Sequence, residues 1–123
     1  MTRNDITYDI VDAAYKVHTK LGPGLLEAIY EFALARELTK KGLTVRQQQP
    51  IPVVYDGVPL PKGFVADLIV ENEIIVEIKA TEGTAAVHKR QLLTYLRLTN
   101  KRLGLLINFN VLLIKDGICR IAN

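Results

Sequence analysis

Serine is absent from this chain, and cysteine nearly so: among 123 residues only Cys119 carries a thiol. Without serine no Gly-x-Ser-x-Gly nucleophile elbow can be built. A lone cysteine forms no internal disulfide and no cysteine metal cluster within one chain, and a reducing, cytoplasmic setting is the expectation. No apolar run approaches the ~20 residues of a membrane-spanning helix. The first residues, Met1-Thr-Arg-Asn-Asp5, lack the basic, then apolar, then small-residue order of a signal peptide. Histidine is confined to His18 and His88. His18 has no ligand-type partner at useful spacing, which argues against zinc. Gly22-Pro23-Gly24 opens like a dinucleotide fingerprint, but a helical pattern precedes it and Glu27 stands where the third glycine is required.

What the chain does contain suits one domain, residues 1–123, with 49% hydrophobic residues to build its core. Lys and Arg number 16 against 13 Asp and Glu, a net charge of +3. That small excess is less informative than its placement. Lys89, Arg90, Arg97, Lys101 and Arg102 fall in one short segment, just after Glu71, Glu73, Glu77 and Glu82. Each basic residue taken alone reads as solvated helix surface. Together, beside an acidic site, they read as a surface that contacts a phosphate backbone.

Ile6, Ile10, Ala13, Ala14, Val17 and Leu21 recur on one face of a first helix, which Gly22-Pro23-Gly24 stops. A second helix, opened by Pro23, turns Leu25, Leu26, Ile29, Tyr30, Ala33, Leu34 and Leu38 inward and ends at Lys40-Lys41-Gly42. The period then changes. Leu43–Tyr55 is strand-like but holds Pro50 and Pro52, so it belongs at a sheet edge or contains a bulge. Asp56-Gly57 is a turn. Two buried strands follow, Gly63–Val70 and Ile74–Ala80, joined across Glu71-Asn72-Glu73. Thr84 is placed to cap a helix reaching about Leu98. Arg102–Phe109 is a further buried strand, and a hairpin of Val111–Ile114 with Ile118–Ile121 closes the chain. The fold class is α/β (α+β): a single sheet with helices on its faces, its core ordered α-β-β-β-α-β between the first helix and the last hairpin.

Asp67, Glu77 and Lys79 stand out because they interrupt Val/Ile-rich strands, where an uncompensated charge costs several kcal/mol. Glu77 and Lys79 are two apart and project from one face. Asp67 joins them if a three-residue connection at Glu71-Asn72-Glu73 sets Val70 opposite Ile74. A two-residue turn would instead send Asp67 to the other face unless a bulge shifted it back. Two close carboxylates repel, and Mg²⁺ or Mn²⁺, which prefer oxygen ligands, would relieve that repulsion. Lys79 could then orient a water and balance charge on a phosphate. An ordinary ion pair at a sheet edge is the competing reading.

Gly24-Leu-Leu-Glu27-Ala-Ile-Tyr30 resembles the Gly-x-x-Glu-x-x-Tyr signature of the GxxExxY proteins, members of the PD-(D/E)XK, or restriction-endonuclease-like, nuclease superfamily. The likeness continues through Asp67, Glu77-Ile-Lys79, Gln91-Leu-Leu-Thr-Tyr95 and Gly104-Leu-Leu-Ile-Asn-Phe109, nearly the whole chain after Val17. It implies a restriction-endonuclease-like core with a mixed central sheet. It also implies Asp67 and Glu77 as metal ligands, Lys79 as the catalytic lysine, and Glu27 as a carboxylate directed at the metal. Ala66 stands where the superfamily motif has its proline.

Around this set, Glu27 equally suits the first turn of its helix, where an acid favours the dipole. Gln91 and Tyr95, four apart, share a face. Gln91 reads as a contact to phosphate or to a water of the site, and Tyr95 as core margin. Tyr30 reads as core with a bonded hydroxyl, and His88, three before Gln91, could line the same cleft. The function expected is Mg²⁺- or Mn²⁺-dependent hydrolysis of DNA or RNA. The alternative is a non-catalytic nucleic-acid-binding or protein-interaction module on the same fold. A second copy of the chain is an expected partner on the ground that small nucleases often need two subunits to embrace a duplex.

Overall fold

The computed structural model describes Met1–Asn123. Two helices lead, α1 (Arg3–Leu21) and α2 (Glu27–Lys40). A long hairpin of β1 (Val45–Tyr55) and β2 (Val58–Val70) is followed by β3 (Ile74–Lys79), α3 (Ala86–Thr99) and β4 (Leu103–Asn108). A 3-10 turn at Ile114–Gly117 leads into β5 (Ile118–Ala122). The strands form one sheet in the order β1-β2-β3-β4-β5. Only β3 and β4 run parallel, and a parallel pair needs a long crossover, which α3 provides. This is the mixed α+β arrangement, with helices on both faces of a mixed sheet, that the element order implied.

The strand period of two divides the core. Ile74, Val76 and Ile78 of β3 join Leu68, Val70, Leu105 and Ile107 against Ile6, Ile10, Tyr30, Leu34 and Leu38 of the first two helices. Ile69, Ile75 and Leu106 meet Leu92 and Leu96 of α3 in a smaller cluster. Full burial of an Ile or Leu is worth about 1.5–3 kcal/mol. A one-residue slip of β3 would move its whole even-numbered row out of the larger core, so the register is strongly held. Glu77 and Lys79, in phase with Ile75, belong to the face covered by α3.

The register is the one that a three-residue connection demands. Val70 pairs with Ile74, Ile69 with Ile75 and Leu68 with Val76. Glu71 and Asn72 take left-handed φ of 52° and 55° to make the turn. Lys101 Nζ donates to the Asn72 carbonyl (3.0 Å) and braces it. β1 meets both expectations drawn from its prolines: it is an edge strand, and its pairing with β2 shifts between Ile51 and Val53. Gly63 faces that irregularity, where a Cβ would run into the Val53 side chain at Cγ2.

Four sequence-based expectations need correction. The second helix starts at Glu27, not Pro23. Gly24, with φ at +99°, turns the chain before the helix, and Leu25 and Leu26 precede it; they and Ile29, in its first turn, are exposed instead of inward. β2 begins at Val58 and its first half is exposed, so the hairpin arm extends well beyond the buried strand expected from Gly63. Thr84 does not cap α3; Ala85 occupies the cap position and makes no side-chain hydrogen bond there. Val111–Ile114 is not a strand, and β5 pairs antiparallel with β4 instead. Gly117 packs so tightly that an added Cβ would collide with the Asn108 carbonyl oxygen, which fixes the path of this return.

Candidate active site

At the C-terminal end of β3 the sheet opens. The pairing of β2 with β3 stops at Leu68 and Val76. Beyond it, the Asp67 side chain reaches across and accepts the Ile78 N–H at Oδ2 (2.8 Å). A carboxylate thus replaces the carbonyl that a continued ladder would have supplied. The other oxygen, Oδ1, accepts from Gln48 Nε2 (3.2 Å).

Glu77 lies beside Asp67 and is 8% exposed. Its Oε1 is buried and has no hydrogen-bond partner. Burial, and then the neighbouring Asp67 carboxyl, push the Glu77 carboxyl up to about 9; Lys79 pulls weakly the other way. With no cation present, the Glu77 carboxyl therefore keeps its proton near neutral pH. Lys79 forms no ion pair within 4.0 Å, since the ion pairs of the chain involve Lys16, Lys40 and Lys41. Its ammonium is available to an incoming anion.

These residues line a cavity of about 140 Å³ together with Glu27, Val65, His88, Gln91, Tyr95 and Leu106. Glu27 comes from the first residue of α2, and its Oε2 accepts the Ala80 N–H (3.3 Å), tying the helix start to the end of β3. His88, Gln91 and Tyr95 descend one face of α3 at helical spacing. His88 Nδ1 is buried without a partner. The Tyr95 ring stacks on Phe64 with centroids 3.7 Å apart, which holds α3 against β2. Burial, followed by the Glu77 and Asp67 charges, raises the Tyr95 hydroxyl above its ordinary value.

Tyr30 stands apart from the cavity. Fully buried, it stacks on Phe109 with centroids 4.6 Å apart. Its hydroxyl donates to the Gly22 carbonyl and accepts the Leu25 N–H, shaping the loop that delivers Glu27. The glycine, glutamate and tyrosine of the 24–30 segment thus act on one another: the loop turns at Gly24, is tied down by Tyr30, and presents Glu27.

The basic residues do not gather in one place. Lys89 and Arg90 flank His88 and Gln91 at the cavity end of α3, Arg97 lies two turns further on, and Lys101 and Arg102 precede β4 at the opposite end of the sheet. Since Glu77 pairs with Leu106 and Lys79 with Asn108, three to five strand steps of ~3.3 Å place Leu103 ~10–16 Å from the site. The crossover helix carries a cluster contiguous in sequence across the molecule.

Three participants went unrecognised in the sequence. Gln48 and Glu31 connect to Asp67 through side-chain hydrogen bonds. Asn108, 1% exposed, donates to the Thr81 and Gly83 carbonyls (2.9 and 3.3 Å) and accepts the Thr81 and Asn110 N–H groups (3.3 and 3.0 Å). It holds the loop that follows Lys79. A polar residue ending an otherwise apolar strand was the available signal.

A divalent cation fits this donor set. The oxygens are hard, one is buried and unsatisfied, and a cation would compensate both acids. The chain assembles no group of three or more His, Cys, Asp or Glu side chains around a common point. Two carboxylates with the remaining positions left to water and phosphate is the coordination Mg²⁺ commonly takes.

A family profile described as the PD-(D/E)XK nuclease superfamily matches residues 4–121. This protein belongs to that superfamily. No curated protein matches the chain.

Proposed function

We propose that this protein is a metal-dependent nuclease, a single domain over residues 1–123 that hydrolyses phosphodiester bonds of DNA or RNA with Mg²⁺ or Mn²⁺ at Asp67 and Glu77. The observation that carries this reading is the unpartnered Glu77 oxygen beside Asp67, in a cleft that also holds the unpaired Lys79 ammonium. Superfamily membership supports it, and the Gly24–Tyr30 signature supports the GxxExxY group in particular. A cation bound there supplies water activation and neutralisation of phosphate charge. Asp67, fixed by the Ile78 N–H, and Glu77 would hold the cation. Lys79 neutralises charge on the phosphate as it builds toward the transition state. The Gln91 amide, which lines the cleft, would hold a phosphate oxygen or the attacking water, and Glu27 at the cleft mouth would accept a proton. Lys89 and Arg90, next to the cleft, suit contacts to the flanking backbone. No helix of the chain is long and apolar enough to cross a membrane. The cytoplasm is the proposed setting, with a second copy as partner on a duplex.

The deciding assay offers single- and double-stranded DNA and RNA to wild type, Lys79→Ala and Asp67→Ala, each purified separately. Wild type should cleave with Mg²⁺ or Mn²⁺. Lys79→Ala should retain metal and lose about a hundredfold or more in rate, because the missing interaction belongs to the transition state. Asp67→Ala should lose both. Equal cleavage by wild type and Lys79→Ala, or binding without cleavage by either, would hand the fold to the binding-module reading.

A further inference from the structure

Five non-glycine residues have positive φ: Gln48, Asp56, Glu71, Asn72 and Asn100. Four of them have an ordinary reason. Asp56 is in the β1–β2 turn, Glu71 and Asn72 are in the β2–β3 turn, and Asn100 ends α3. Gln48 alone lies inside a strand, with φ at 47°. The left-handed conformation is sterically disfavoured for a side chain of this kind. The ladder accommodates it by passing over it: Gln47 pairs with Leu68 and Gln49 with Ala66, while Gln48 and Asp67 make no such pair.

The side chain shows what that conformation achieves. Gln48 Nε2 donates to Glu31 Oε1 (2.6 Å) and to Asp67 Oδ1 (3.2 Å). Both acceptors are carboxylate oxygens, and an amide oxygen cannot donate, so it is the amide nitrogen that faces them. A neutral group with two N–H donors is thus inserted between two acids that would otherwise repel. Glu31 is anchored in turn by Gln47 Nε2 (3.2 Å), and it stands one helical turn after Glu27 on α2. With Ile78 N–H on Oδ2 and Gln48 on Oδ1, both Asp67 oxygens are oriented by protein donors.

We infer that Gln48 is a positioning residue that sets the Asp67 carboxylate for the cation and links it, through Glu31, to the helix bearing Glu27. The inference rests on the metal-site reading above. Backbone conformation at residue 48 is sacrificed for side-chain placement, an arrangement that recurs at functional sites.

Gln48→Gly separates this role from a structural one, because glycine adopts the left-handed conformation freely while removing the amide. Gln48→Met removes the donors and retains the backbone demand. Mn²⁺ binding is titrated without nucleic acid, by the electron paramagnetic resonance of free Mn²⁺, in wild type, both variants and Asp67→Ala; thermal unfolding is followed in EDTA. Both Gln48 variants should bind Mn²⁺ about tenfold to a hundredfold more weakly than wild type, the usual effect of losing a partner that orients a ligand. Gln48→Gly should unfold at the wild-type temperature or above. Wild-type Mn²⁺ affinity in both variants would overturn the inference alone. Weakened binding in Gln48→Gly accompanied by a lowered unfolding temperature would make Gln48 a structural residue and overturn it as well. No Mn²⁺ binding by wild type would overturn the metal-site reading, and this inference with it.

Discussion

Glu77 places an ionisable group where water scarcely reaches, and the consequence can be read as stability against pH. Its carboxyl is raised from 4.5 to about 9 in the folded chain, burial contributing most and Asp67 next. For a group raised on folding, the stabilising contribution is complete below the unfolded value and is lost as pH rises toward the folded one. In EDTA the protein should therefore lose stability between about pH 5 and pH 9, by up to about 6 kcal/mol at about 1.4 kcal/mol per pKa unit. None of the other groups that folding clearly shifts titrates inside this window. Hydrogen bonds from Thr2 and Lys41 lower Asp5 and Asp12, and Glu37, against the opposing effect of burial, is lowered by Lys16 and Lys40; all three have titrated below it. Tyr95 and Lys41 are raised and titrate above it. Glu77→Gln keeps the shape of the side chain without the titration. Thermal unfolding across this range should be much flatter in the variant, and an equal slope in the two proteins would place the pH dependence elsewhere. Wild type at pH 8 should also gain unfolding temperature on addition of Mn²⁺, and Glu77→Gln should gain less.

Among the elements, the joint between β3 and the loop before α3 matters most to the cleft. Asn108 makes four hydrogen bonds there, and Asn108→Ala would remove them from the part-buried Thr81 and the backbone of Gly83 and Asn110. A cost of about 2–4 kcal/mol is expected in urea unfolding, together with weakened cleavage as Ala80 and Glu27 loosen. A loss below about 0.5 kcal/mol, the size of an ordinary surface substitution, would show that the loop stands without it. This scale is also where the sequence was most and least legible. Alternation through Ile74–Ala80 put Glu77 and Lys79 on one face, but left Asp67 to the length of the turn at Glu71-Asn72-Glu73. The three-residue register joins it to them, and a one-residue slip would strand Ile74, Val76 and Ile78. The start of α2 was misread because Pro23 is a good first helical residue locally, whereas the tie from Tyr30 back to Gly22 is a tertiary contact. Gln48 was unreadable for a related reason. Its partners lie 17 and 19 residues away, and a glutamine in a proline-interrupted strand carries no pattern of its own.

Across the whole molecule, charge has two addresses. Lys89 and Arg90 stand at the cleft, whereas Lys101 and Arg102 precede the start of β4, ~10–16 Å off by strand rise at the far end of the sheet, with Lys101 already engaged at Asn72. Binding to a short duplex should therefore respond unequally. Converting Lys89 and Arg90 to Gln should weaken affinity and lower the slope of log affinity against log salt by about 1 for each phosphate no longer neutralised. The same change at Lys101 and Arg102 should leave the slope close to wild type. Equal effects of the two pairs would mean that nucleic acid tracks the full length of α3. The sequence showed these charges as one cluster because it cannot show a crossover helix carrying its two ends to opposite edges of a domain.

Asp67 serves two masters, and that has a bearing on how this fold can age. By accepting the Ile78 N–H it closes a gap where two strands part company, so its removal would injure the scaffold as well as the proposed chemistry. A descendant that had abandoned cleavage would still be under pressure to keep it. Lys79 carries no such obligation, having no ionic partner in the chain. Among relatives built on the same plan, the aspartate is therefore a poor marker of surviving enzymes, and the lysine a good one.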